Sequence, residues 1–210
     1  MSYPSIDKAF RLLNDMCRGY GNRFENADEH CENLRVHSLM VACCAQMIAA
    51  KIPGMDANKA YILALLHDYG KIRSENNSFH GLIGYKLLKS MGYDDSARIC
   101  LSHSFQSKNF RLEDYDNYDR QAIFEAKNAL CELDLDDYDL LVQLCDLLVL
   151  VGVGYVSLKS RLAFVKQKYG LPIVRLKRAY RDTLNLKKYF DLLCGCDIYL
   201  LLGIKEDKVS

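Results

Sequence analysis

The sequence predicts an all-α fold, a compact multi-helix bundle. Apolar residues recur mostly at spacings of three and four, alternation of the β type is rare, and only Pro4, Pro53 and Pro172 break the chain. With 210 residues, half of them hydrophobic and 26% charged, the chain can bury one sizeable core, and residues 1–210 read as a single helical domain. A first helix is expected from about Ser5 to Arg18, closed by Gly19-Tyr20-Gly21, and a second from about Cys31 to Lys51, stopped by Pro53-Gly54. Asp56 caps a third that ends near Asp68, with Gly70 beyond it. A fourth covers about His80 to Met91 and a short fifth Asp94 to His103. Two more span Tyr118 to Glu132 and Asp136 to Val151, and Ser157 caps another that ends at Gly170. Pro172 starts a C-terminal helical extension, about 172–204, interrupted at Gly195. Ser104 to Arg120 is polar, acidic and rich in Tyr, Phe and Asn; it reads as a surface loop, with a lid over a site as the alternative.

Several classes are excluded. Lys plus Arg is 28 and Asp plus Glu is 27, so the net charge of +1 gives no reason to expect a nucleic-acid or membrane partner. The longest apolar stretches, Leu140 to Val153 and Leu192 to Ile204, are short and carry Asp146 and Asp197, which argues against a transmembrane helix. The N-terminus lacks the apolar core of a secretory signal. Nine cysteines, an odd number without a Cys-x-x-Cys pair, read as reduced small hydrophobes of a cytoplasmic protein. Cys194-Gly195-Cys196 leaves open a metal ligand pair or a strained bridge.

The informative residues are ionisable groups in apolar contexts. His37 opens the stripe His37, Met40, Val41, Cys44, Ala45, Ile48 on one helix face. The run Ala60-Tyr61-Ile62-Leu63-Ala64-Leu65-Leu66 is apolar nearly all round, hence central, and ends in His67-Asp68. Asp146 is the only charge between Leu140 and Val153. Taken singly, each fits a hydrogen-bonded core residue. Together they supply two nitrogens and at least two oxygens from three helices, which one divalent cation satisfies at once. That donor set suits six-coordinate Mn, Fe, Co, Ni or Mg better than structural zinc. Such a cation lowers the pKa of bound water towards neutrality.

His37, His67-Asp68 and Asp146 resemble the H…HD…D signature of the HD superfamily of metal-dependent phosphohydrolases. Ala64-Leu65-Leu66-His67-Asp68-Tyr69-Gly70-Lys71 is similar to that superfamily's "LLHDIGK" segment, and the likeness covers an HD-like core of about 31–161. His80, in Phe79-His80-Gly81-Leu82-Ile83-Gly84, and His103, in Leu101-Ser102-His103-Ser104, extend it towards subfamilies with two metals. Among these, the HD-type symmetrical diadenosine tetraphosphatases have similar "HGPVGA" and "YHT" segments. The resemblance implies one metal on His37, His67, Asp68 and Asp146, and a second on His80 and His103, with Asp68 bridging and Fe or Mn favoured. It also implies a phosphorylated small-molecule substrate, nucleotide-like, such as a dinucleoside polyphosphate. The chain departs from the tetraphosphatases after Asp146, where Leu147-Leu148-Val149-Leu150-Val151-Gly152 replaces a "YIEPGR"-like run. Gly154 to Arg161 instead looks like the "GxVxLxxR" run of other HD hydrolases.

Within that reading Asp68 orients water as well as ligating. Lys71 either pairs with a phosphate oxygen or is a cation favoured at a helix C-terminus. Arg161 is a weaker candidate for substrate contact, as is Arg73, and a solvated surface role is the alternative for both. His30, in the polar run Asn26 to His30, reads as a solvated loop residue. The competing function is a catalytically weak metal- and nucleotide-binding regulatory module on the same scaffold.

Overall fold

The computed structural model describes residues 2–74, 79–104, 119–170 and 173–205. Its helices are α1 (Ile6–Gly21), α2 (Ala27–Ala49), α3 (Ala57–Leu65), α4 (His80–Ser90), α5 (Asp94–Ser102), α6 (Arg120–Cys131), α7 (Asp137–Leu147), α8 (Leu158–Tyr169), α9 (Ile173–Cys194) and α10 (Ile198–Leu201). A 3-10 turn, Tyr69–Ile72, follows α3. A two-strand antiparallel ribbon, β1 (Val149–Leu150) with β2 (Gly154–Tyr155), follows α7. The predicted all-α class holds. No described helix is long and apolar enough to cross a membrane.

Local chemistry sets the starts. The Ser5 hydroxyl accepts from the Lys8 amide, Asp56 from the Asn58 and Lys59 amides, and Ser157 from the Ser160 amide. Asp136 and Asp139 form a reciprocal capping box at the start of α7. α3 is the central element, with Ala60, Leu63, Ala64 and Leu65 fully buried, and it packs against α2, with α1, α5 and α7 around it. A smaller apolar cluster of Phe79, Leu82, Leu101, Ile123, Ala126 and Leu130 joins α6 to α4 and α5.

Four boundaries differ from expectation. α1 continues through Gly19 and Gly21, which serve close packing: a Cβ on Gly19 would lie 2.7 Å from Ile72 Cγ1, and one on Gly21 2.4 Å from the Ala27 carbonyl oxygen. α2 begins at Ala27, so His30 stands on a helix rather than in a loop. α3 stops at Leu65, leaving His67 and Asp68 in the turn beyond it. α7 stops at Leu147 because the chain reverses into the ribbon, where Gly152 (φ 82°) and Gly154 (φ 117°) take conformations that favour glycine. The polar segment Ser104 to Arg120, expected as a surface loop with a lid as the alternative, lies mostly outside the described residues, which omit 105–118, as does Pro172.

Two devices hold the site elements in place. The first is glycine contact between the 3-10 turn and α4. A Cβ on Gly70 would fall 1.7 Å from the His80 carbonyl oxygen and 2.5 Å from the Gly84 nitrogen. The second is a buried polar network between α5 and α7. Arg98 lies 2.6 Å from Asp139 Oδ2 and 2.7 Å from Asp136 Oδ2; Ser102 Oγ donates to Asp139 Oδ1 at 2.6 Å, and Gln143 Nε2 to the Ser102 carbonyl at 2.9 Å.

Gly70→Ala is expected to cost at least about 2 kcal/mol, because the obstructing atoms are backbone and cannot swing aside. Urea unfolding monitored by circular dichroism checks this. Asp139→Ala is expected to cost about 1–3 kcal/mol by leaving the buried Arg98 and Ser102 donors short of an acceptor. The double variant Arg98→Met with Asp139→Leu is expected to recover part of that loss in the same assay.

Candidate metal centre

The end of α3 creates the site. The last carbonyls of a helix lack intrahelical partners. Here His67 closes one of them itself, its Nδ1 donating to the Ala64 oxygen at 2.7 Å, and Cys100 Sγ donates to the Leu66 oxygen at 3.1 Å. That bond fixes the His67 tautomer, so Nε2 carries its lone pair away from the helix. His103, just past the end of α5, repeats the device with Nδ1 3.2 Å from the Ile99 oxygen. His67, Asp68 and His103 are all buried.

Asp68 is the point where the groups meet. Its Oδ2 lies 3.4 Å from His67 Nε2 and 3.7 Å from His37 Nε2, and its Oδ1 lies 3.2 Å from His80 Nε2 and 3.6 Å from His103 Nε2. On the Oδ2 side, Asp146 Oδ1 comes within 3.0 Å of His37 Nε2 and 3.8 Å of His67 Nε2. The two ring pairs approach closely, with Nε2 atoms 3.3 Å apart for His37 and His67 and 3.2 Å apart for His80 and His103. The structure thus brings together all six residues expected as ligands. His37 comes from α2, His67 and Asp68 from the turn after α3, His80 from the first position of α4, His103 from beyond α5 and Asp146 from the last turn of α7.

The electrostatics favour ligand-competent states. Burial pushes the His67 ring down to about 4, and burial likewise lowers His80. Burial alone would raise both carboxyls. For Asp68 it is outweighed by the Lys71 ammonium and by His67, and for Asp146 by the His37 hydrogen bond and charge, so both stay well below the usual carboxylate range. Lys71 Nζ sits 2.5 Å from Asp68 Oδ2. Burial lowers the Lys71 pKa, but the Asp68 charge prevails and raises it, so the group stays an ammonium. The neutral His67 ring, its Nε2 lone pair turned inward beside ionised carboxylates, matches what a divalent cation requires. Two triads, His37–His67–Asp146 and His67–Asp68–His103, each have ligand atoms within 4.8 Å of one another and could hold a metal.

The cluster forms part of the wall of a cavity of about 1010 Å³. Lys71 and Arg161 line the same cavity, whereas the exposed Arg73 does not. Ser104 Oγ lies 3.1 Å from His103 Nε2, and residues 105–118, which follow it, are outside the described residues. Cys194 and Cys196 are free thiols. Sequence reasoning missed His30, Asn33 and Tyr20, which also line the cavity. His30 stacks on Phe24 with ring centroids 3.9 Å apart and meets Tyr20 edge-on. The signal was available: His30, Asn33, Leu34 and His37 share one helix face once α2 is started at Ala27.

A comparison with protein families matches the HD domain over residues 35–149, more than half of the chain. No curated protein and no solved structure matches. The match runs from just before His37 to just after Asp146, spanning every residue of the cluster, and the chain belongs to the HD domain family.

Proposed function

We propose that the protein is a metal-dependent phosphohydrolase that cleaves a phosphoester or phosphoanhydride bond of a nucleotide-like small molecule. HD domains bind divalent metals and are generally hydrolases. The observation that carries the finer reading is the division of Asp68, with Oδ2 facing His37 and His67 and Oδ1 facing His80 and His103. Asp68 would then hold cations on both of its sides, and the mixed nitrogen and oxygen donors favour Fe or Mn, with Mg, Co and Ni as further candidates. A bound divalent cation supplies positive charge to a phosphate oxygen and acidifies water at neutral pH.

The chain's own groups do the rest. The Ala64 and Ile99 carbonyls hold His67 and His103 in single tautomers. Lys71 supplies a permanent ammonium beside Asp68, in reach of a phosphoryl group that approaches from the cavity. Tyr20 and His30 offer aromatic surface on the same wall system, which suits a planar base.

Protein purified without chelator is expected to carry about one to two transition-metal ions per chain by mass spectrometry. Asp68→Ala is expected to abolish both metal and turnover on a panel of nucleotides and dinucleoside polyphosphates assayed with Mn or Fe(II). Metal-free wild type together with an inactive panel overturns the reading, whereas tight metal without turnover points to the binding module instead. A pH series supplies a second check. His67 titrates near 6.5 when unfolded and about 4 when folded, so its contribution is present above pH 6.5 and lost as pH falls towards 4. Chelated protein is expected to lose up to about 3 kcal/mol over that window, with a shallower loss in His67→Gln, by urea unfolding.

A further inference from the structure

α8 turns a cationic and aromatic face to the cavity. Arg161, Phe164, Val165 and Lys168 all line it, at the spacing of one helix face. The Arg161 guanidinium lies 5.8 Å from the Phe164 ring centre, and its Nε is buried with no hydrogen-bond partner among the described residues. The carboxylates of the cavity wall already have partners: Asp68 faces Lys71 and four imidazoles, and Asp146 faces His37. Among the described residues no carboxylate pairs with Arg161, so the guanidinium lines the cavity without an anionic partner, and a ligand oxygen can supply one. The chemistry that guanidinium recognises is a phosphate or carboxylate, through paired N–H donors. A cavity of about 1010 Å³ is far larger than one phosphoryl group requires.

We propose that Arg161 binds a second anionic group of the substrate, so that the cavity takes a molecule with a diphosphate or longer chain in preference to a monophosphate. One phosphate faces the histidine–aspartate cluster and Lys71, and the next faces Arg161. This rests on the phosphohydrolase reading for the first phosphate only. The same diphosphate chemistry is offered by a nucleotide and by an inorganic chain. The probes are therefore α,β-methylene-ADP against AMP, and pyrophosphate against orthophosphate.

Isothermal titration of metal-loaded and chelated protein tests the inference. Wild type is expected to bind each diphosphate at least about tenfold tighter than its monophosphate partner, the range of one charge-assisted hydrogen bond. Arg161→Gln is expected to remove that preference while leaving monophosphate affinity within about twofold, and Arg161→Lys to restore part of it. Preference for pyrophosphate equal to that for methylene-ADP supports an inorganic chain; a stronger preference for methylene-ADP supports a nucleotide. An Arg161→Gln protein that keeps the full preference, or that weakens both members of a pair equally, overturns the proposal, as does a wild type that binds neither diphosphate. Loss of metal or turnover in Asp68→Ala concerns the phosphohydrolase reading alone, because the chelated arm reads Arg161 without either.

Discussion

The structure is organised around a buried carboxylate. Asp68 is 2% exposed, at the end of a helix that is itself enclosed by the bundle. A carboxylate in that position is tolerable only when surrounding groups replace the water it has lost. The replacement comes from four rings and one ammonium, so the chain must bring α2, α4 and the end of α5 to the tip of α3. The fold and the site are therefore one problem: the same contacts that satisfy Asp68 define the architecture.

Close approach makes this possible. Gly70 and Gly84 face each other where the 3-10 turn meets α4, and their missing side chains let His80 reach the Oδ1 side of Asp68. On the other flank, the Arg98–Asp139–Ser102–Gln143 network ties the segment bearing His103 to the helix bearing Asp146. The histidines that close both ends do so through helix carbonyls, so each ring's orientation is set by a local backbone event. Rigid second-sphere support of this kind is what keeps a ligand set preorganised.

The Lys71 ammonium offsets one of the two carboxylate charges of the cluster. Lys71 lies on Oδ2 of Asp68, the side shared with His37, His67 and Asp146. The larger cavity adds two unlike walls, aromatic at Tyr20 and His30 and cationic on α8.

The sequence by itself determined the helical class, most helix starts and the identity of the clustered residues. Those signals are local: apolar spacing, capping side chains, and polar residues set in runs that must be buried. It misjudged the ends of α3 and α7, where helical periodicity persists but tertiary contacts stop the helix, and it treated Gly19 and Gly21 as terminators when they are packing surfaces. The polar neighbours of His30 suggest a solvated residue, although helix registry carries it onto the cavity. The division of Asp68 between two histidine pairs, the engagement of Lys71 and the place of Arg161 on the cavity wall were decided only by tertiary structure. Each depends on distances between segments far apart in the chain, which close packing sets and no local pattern encodes.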